Sequence, residues 1–432
     1  MILTNSSLDR NAILKMLKGQ IMIDNLFELS RQFLRNYNRP YKRYFLYQYP
    51  LKNRFSIIIG PRGTGKTTAI IQHLLSKYDN DLFTRKALYV PVDHFMVAGN
   101  NLYEIAEEFH NLGGEYICFD EIHKWVNWSG EIKSIYDSFT KLRIIASGSS
   151  AIAIQKGSHD LSRRAVVYRM TGLSFREYID LVLDINSEPL SLEFILEHHE
   201  KSAANIVKSV EPSGAKILSL FKDYLRFGYF PYFQEFKDES IYHITLEQSI
   251  HATIESDLLA VYSELSGRSI QKLKKLLSVI SESVPFTPDL KRLKKIVEIG
   301  DERTLKNYLK YLEDGGIIIA LPKSGSGLRG MGKPEKIYLN NTNQIYAISG
   351  RGKENIGNMR ETFFAGMLGG MHQISVPKRG DFFVDGIYTF EIGGRNKGFE
   401  QIKGIPNSYL AIDDIETGIG QKIPLWLFGF LY

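Results

Sequence analysis

Along the first third of the chain, short apolar runs alternate with stripes of apolar residues at helical spacing. Residues 55–59 read FSIII, an unbroken run of strand length, and after a glycine-rich stretch AIIQHLLSKY at 69–78 repeats its apolar positions every three or four residues. A second run, GEYICFDE, ends in the acids Asp120 and Glu121, and a third, LRIIAS at 142–147, closes on Ser147 before Gly148-Ser149-Ser150. AVVYRM at 165–170 is again strand-like. Strands alternating with helices predict an α/β domain around a parallel sheet. Further on, three helical stripes, QKLKKLLSVISES, DLKRLKKIVEI and DERTLKNYLKYLEDGG, close into IIIALP, the order of a winged helix. In the last stripe Leu305, Tyr308, Leu309 and Leu312 share one face, which leaves Arg303, Lys306 and Lys310 on the other. Beyond residue 345 the strand-like segments KRGDFFVDGIY and TFEIGG carry Asp381 and Glu391, and PLWLFGFLY at 424–432 reads as a final buried strand, too short to cross a bilayer.

The glycine-rich stretch between the first strand and helix is Gly60-Pro61-Arg62-Gly63-Thr64-Gly65-Lys66-Thr67-Thr68, a Walker A motif in its strand-loop-helix context. Glycines at 60, 63 and 65 let the backbone turn successive N–H groups toward one anion, and the helix that follows adds its positive end. Lys66, expected to be an exposed loop side chain, is placed to reach the β- and γ-phosphates of a nucleoside triphosphate, and the Thr67 hydroxyl to hold Mg²⁺. Asp120 and Glu121, at the carboxyl tip of an apolar strand, read as Walker B. There Asp120 serves as a second Mg²⁺ ligand and Glu121 as the base that deprotonates the attacking water. The bland alternative for such an acid pair is a helix cap. Ser147 or Ser149 is a candidate sensor of the γ-phosphate, against the alternative of a serine-rich turn. Arg163 and Arg164 are candidate fingers that stabilise transition-state charge, or else surface ion-pair partners. His123 and Trp125 carry no assignable chemistry.

GPRGTGKTT, ICFDEIHKW, ASGSS, LSRRAVVYRMTGLSFREY and FGYFPYF together resemble a group of prokaryotic AAA+ ATPases, archaeal and STAND-related, that carry a C-terminal PD-(D/E)xK nuclease-like domain of unknown function. The resemblance runs over nearly the whole chain. It implies ATP and Mg²⁺ as ligands, a finger at Arg163 or Arg164 acting on a neighbouring copy in a homo-oligomer, and a lid signature at residues 228–231. For the C-terminal domain it implies a second metal site formed by Glu361, Asp381 and Glu391. The lysine of that nuclease pattern should stand at 393, where this chain has glycine, and Lys397 is the nearest substitute. Weak or absent cleavage is the expectation.

The chain's 432 residues, 44% hydrophobic and 24% charged, exceed what one core usually spans. The division expected is a P-loop α/β domain over 1–175, a helical lid over 176–264, a winged helix over 265–345 and a nuclease-like α/β domain over 346–432. A single cysteine, Cys118, excludes an intramolecular disulfide and fits a reducing cytoplasm, and no membrane partner is expected. The net charge of +6 is concentrated, since residues 268–310 hold eleven Lys or Arg against five Asp or Glu. Arg303, Lys306 and Lys310 are therefore the candidate contacts to double-stranded DNA, with Lys323, Arg329 and Lys333 in a wing. The function expected is Mg²⁺-dependent ATP hydrolysis coupled to rearrangement of the winged-helix and C-terminal domains. The alternatives are a slow nucleotide switch and an ATP-regulated DNA-binding protein or nuclease.

Overall fold

The computed structural model describes residues 5–148, 161, 163–262, 264–282, 285–325, 334–349 and 356–432, with backbone alone for 5–16 and 349. Ser149 and the wing residues Arg329 and Lys333 lie outside these described residues. The chain divides into two compact units, one of residues 1–60 and 65–170, the other of 61–64 and 171–432.

The first unit is built on β1 (Phe55–Ile59), β2 (Ala87–Pro91), β3 (Tyr116–Asp120), β4 (Arg143–Gly148) and β5 (Val166–Arg169), in the order β2-β3-β4-β1-β5. Every pairing is parallel, which brings the carboxyl ends of β1, β3 and β4 to one edge. β1 is buried along its whole length, as its continuous β-branched run requires, and it lies centrally, with Ile57 beside both Ala146 and Val167. Helices α2 (Tyr44–Gln48), α3 (Lys66–Lys77), α4 (Leu102–Asn111) and α5 (Trp128–Ser138) supply the apolar partners of two cores, one containing Phe55, Ile57 and Phe109, the other Phe45, Ile58, Ile70 and Leu74.

A long helix that the apolar runs did not announce, α1 (Asn5–Tyr37), presents Ile23, Leu26, Phe27, Ser30 and Leu34 as a buried stripe. The Tyr89 backbone N–H donates to Ser30 Oγ at 3.1 Å, so a polar group of the outer strand β2 finds its partner on this helix. The helix thereby covers what would otherwise be an open sheet edge.

The second unit contains a five-stranded mixed sheet of β8 (Ile374–Ser375), β9 (Phe382–Val384), β10 (Tyr388–Gly393), β11 (Ser408–Ile412) and β12 (Lys422–Pro424), in the order β12-β11-β10-β9-β8. The three charged helical stripes form helices at Gly267–Ser281, Leu290–Ile296 and Glu302–Asp314, followed by β6 (Ile318–Leu321) paired antiparallel with β7 (Lys336–Leu339). Leu305, Tyr308, Leu309 and Leu312 are buried together as expected. The expected strand at 424–432 is corrected. Only Pro424 belongs to a strand, and Leu425–Phe430 coil into a buried 3₁₀ helix. Every residue of this run is buried, so the half-buried alternation of a sheet surface has no role, and the tight turns pack Trp426 and Phe430 against Phe175. A Cβ on Gly429 would come within 2.4 Å of Phe175 Cβ.

His73 on α3 has its pKa pushed down to about 4 by burial, with Lys77 and Arg143 adding repulsion to its charged form. Above pH 6.5 the ring is neutral in both the folded and the unfolded chain; as pH falls toward 4 the unfolded chain takes up a proton that the folded chain refuses, so stability drops. At pH 5 this amounts to about 2 kcal/mol. We expect the melting temperature to fall more steeply between pH 7 and pH 5 in the native chain than in His73→Phe. Parallel falls in the two proteins would show that His73 is not responsible.

Candidate active site

β1 ends at Ile59, and the turn that follows is shaped by close approach. A Cβ on Gly60 would stand 2.1 Å from the Met170 carbonyl oxygen, so no side chain fits there. Gly65 caps α3 in the left-handed region at φ 92°, which lets the helix begin at Lys66 immediately behind the loop. Lys66 departs from the expectation of an exposed side chain. It is 5% exposed, and its Nζ donates to the Gly60 carbonyl oxygen at 2.9 Å, folding the ammonium back over the loop. The loop tip, residues 61–64, counts with the second unit. There Arg62 forms a two-pronged ion pair with the buried Asp257, at 2.8 and 2.6 Å, and a Cβ on Gly63 would meet the Tyr232 ring at 2.4 Å.

Asp120 is the point on which the first unit's polar groups converge. Its Oδ2 accepts from Thr67 Oγ1 at 2.6 Å and from the Tyr89 hydroxyl, and its Oδ1 accepts from Ser147 Oγ and, at 3.2 Å, from the Glu121 backbone N–H. These donors come from α3, β2, β4 and the chain after β3, all drawn together by the parallel register. Asp120's charge reaches its neighbours: burial and then Asp120 push the Tyr89 hydroxyl and the Cys118 thiol well above their ordinary pKa values. The Thr67 hydroxyl and the Asp120 carboxylate are a hard-oxygen pair of the kind that binds Mg²⁺, so the residues present fit that ion. Ser147 is the candidate γ-phosphate sensor. Its hydroxyl is held by Asp120 and also accepts from Glu121 N–H at 3.2 Å.

Glu121 has a left-handed backbone at φ 55°, unusual for a non-glycine residue, and starts the 3₁₀ turn Ile122–Lys124. Its side chain is 23% exposed, yet Oε2 is buried without a hydrogen-bond partner. Of the two arginines, Arg163 is exposed and Arg164 grips Asp137 at 2.9 and 3.0 Å, an arrangement that directs Arg164 to α5 within this chain. Sequence reasoning missed Tyr89, which lies two residues before the end of a strand with no motif of its own. It also set aside His123, although its place two residues after Glu121 was a usable signal.

In the second unit the helix Ile356–Leu368 and strands β9 and β10 bring the C-terminal acids together. Asp381 N–H donates to the Phe390 carbonyl oxygen at 2.9 Å, which sets Asp381 beside Glu391. Lys336 Nζ lies between Glu361 Oε2, at 3.2 Å, and Asp381 Oδ1, at 3.4 Å, while the Tyr338 hydroxyl donates to Glu361 at 2.8 Å. Lys397 forms an ion pair with Glu391, and its stem fills the space over Gly393, where an added Cβ would stand 2.4 Å from Lys397 Cγ. Burial and the neighbouring Asp381 raise the pKa of Glu361; burial also raises that of Glu391. Among the described residues no three His, Cys, Asp or Glu side chains are arranged to hold a metal ion as they stand; Lys336 lies between Glu361 and Asp381, and Lys397 pairs with Glu391.

Residues 52–179 match the family model described as an AAA domain, and residues 218–355 match a domain of unknown function. The first unit thus carries a P-loop domain of the AAA ATPase type. Two proteins of Methanocaldococcus jannaschii are similar over most of the chain. The uncharacterized protein MJ1637 is 27% identical over 66% of this chain and 60% of its own length, and the uncharacterized protein MJ1544 is 22% identical over 71% and 64%. The chain therefore spans under two thirds of each of these relatives. Among solved structures, the Walker-type ATPase PABY2304 of Pyrococcus abyssi aligns over 71% of this chain and 93% of its own, at 11% identity and a TM-score of 0.39, too loose a likeness to carry an argument. No helix among the described residues is long and apolar enough to cross a membrane.

Replacing Lys66 by Ala removes the cation and its bond to Gly60 while leaving the apolar core untouched. Nucleotide affinity, followed with a fluorescent ATP analogue, should fall by at least about 10-fold, the scale of a lost charge-assisted hydrogen bond. Asp120→Asn should weaken binding only when Mg²⁺ is present. Unchanged affinity in both variants would remove this loop as the nucleotide site.

Proposed function

We propose that the protein is a Mg²⁺-dependent ATPase of the AAA type whose phosphate site is the Walker A loop and whose hydrolytic centre is the acid pair Asp120 and Glu121. The observation that carries this reading is the 2.6 Å bond between Thr67 and Asp120, beside a part-exposed Glu121 side chain whose buried Oε2 accepts no hydrogen bond. Thr67 and Asp120 would hold Mg²⁺, which when bound offsets negative charge on the β- and γ-phosphates. Lys66 supplies a cation to the same oxygens, and the backbone N–H groups at the start of α3 add their dipoles. Glu121 takes a proton from water as its oxygen bonds to the γ-phosphorus; the bond to the bridging oxygen breaks, and ADP and phosphate leave. Tyr89 and Ser147 keep the Asp120 carboxylate oriented. Arg163 is proposed as the finger toward a neighbouring copy, because Arg164 is engaged with Asp137. A slow nucleotide switch is the alternative within the same site.

A second reading, contact with double-stranded DNA, is supported by a different helix from the one expected. In Glu302–Asp314, Lys306 pairs with Glu302 and Lys310 with Asp314, both at 2.9 Å, so this helix's cations are largely offset by its own acids. Lys291, Arg292, Lys294 and Lys295 on Leu290–Ile296 make no ion pair among the described residues, and all but the half-buried Lys294 are exposed. A winged-helix module presenting this shorter helix to the phosphate backbone is the form this reading takes. For the C-terminal acids we propose a nuclease-like fold with little or no cleavage, since Lys336 and Lys397 already neutralise the carboxylates a metal would need.

Glu121→Gln keeps the shape and removes the base, so ATP should bind normally while turnover falls by about 10²-fold or more. Turnover at the native rate in this variant would sink the hydrolytic assignment. For DNA, affinity for a random duplex should decline steeply with salt. Neutralising Lys291, Arg292, Lys294 and Lys295 should lower the slope of log affinity against log salt by about 3 to 4, near 0.9 per phosphate contact, and the same duplex should stay uncut in Mg²⁺ or Mn²⁺. Salt-independent binding, or rapid cutting abolished by Glu391→Ala, would overturn this second reading.

A further inference from the structure

The left-handed turn after β3 places a second titratable side chain against the proposed base. His123 lies in the 3₁₀ turn that Glu121 begins, its side chain fully buried, and its Nε2 faces Glu121 Oε2 at 3.7 Å. This Oε2 is the oxygen that accepts no hydrogen bond, while the Glu121 side chain as a whole stays 23% exposed. One carboxylate oxygen therefore points inward to His123, and the exposure of the side chain belongs to its other atoms. The backbone on both sides is fixed. Glu121 N–H is tied to Ser147 and Asp120, the Lys124 N–H closes the turn on the Glu121 carbonyl, and Lys124 itself is anchored to Asp93. With φ locked at 55°, the carboxylate has only its own χ angles left to vary. A distance of 3.7 Å is longer than a hydrogen bond, and a small χ rotation of Glu121 would bring the pair to bonding range.

We infer that His123 is a positioning residue for Glu121: its buried Nε2 holds one carboxylate oxygen and so aims the other at the water that attacks ATP. The reading rests on the hydrolytic role proposed above for Glu121 and adds to it a residue that motif spacing does not supply. A carboxylate left to swing loses productive orientations, and with them rate, while the phosphate loop and the Thr67–Asp120 pair keep their hold on nucleotide. The consequence is a split between turnover and binding. His123 bears on kcat and leaves nucleotide affinity alone, which a purely structural role would not produce.

The test uses the full chain and steady-state ATP hydrolysis with titrated Mg²⁺, alongside binding of a fluorescent ATP analogue. His123→Ala should lower kcat by about 10-fold with KM and analogue affinity changed less than about 3-fold. His123→Gln, which retains a side-chain N–H donor, should recover most of the rate. Combining His123→Ala with Glu121→Gln should give no further loss than Glu121→Gln alone, because an orienting residue has nothing left to orient. Equal losses in the Ala and Gln variants, or additive losses in the double variant, overturn the inference. Native turnover in Glu121→Gln would instead overturn the hydrolytic reading itself, and the two failures are thus told apart. If His123→Ala does not fold, the Gln variant with and without Glu121→Gln still decides.

Discussion

Everything proposed for the first unit depends on one buried carboxylate. Asp120 sits at the carboxyl tip of β3, and the hydroxyls of Thr67, Tyr89 and Ser147 all donate to it. Burying a carboxylate is strongly unfavourable unless its oxygens are satisfied, and here the donors arrive from three elements that only a parallel sheet with this strand order aligns. The same convergence fixes where Thr67 points and holds the Glu121 backbone by its N–H. Removing the register would therefore separate Thr67 from the acid pair in one step.

Close packing gives the loop its shape. Gly60 passes so near the Met170 carbonyl oxygen that the residue just after β5 determines which residue begins the loop. Lys66, turned back onto Gly60, carries its charge in a largely buried setting, where an ammonium acts on a phosphate more strongly than it would in water. The second unit uses charge differently. Its acids at Glu361, Asp381 and Glu391 are met by Lys336 and Lys397, so their charges are balanced within the unit.

Much of this was written in the sequence, because it depends on neighbours along the chain. The strand, loop and helix of the Walker A stretch follow from β-branched residues, glycines and a helical stripe in succession, and the strand and helix formed where the periodicity placed them. The acid pair at the end of an apolar run, the buried face of Glu302–Asp314 and the charged helices before it are likewise local patterns. Other features depend on residues far apart in the chain, and only the tertiary structure decided them. The partners of Asp120 lie 53, 31 and 27 positions away, so no window along the chain contains them. That Lys66 is buried, that the last apolar run coils instead of extending, and that Lys397 takes the space above Gly393 were all settled by what packs around them. Composition and spacing specify which groups a chain can bring to a site; strand register and volume determine which of them meet.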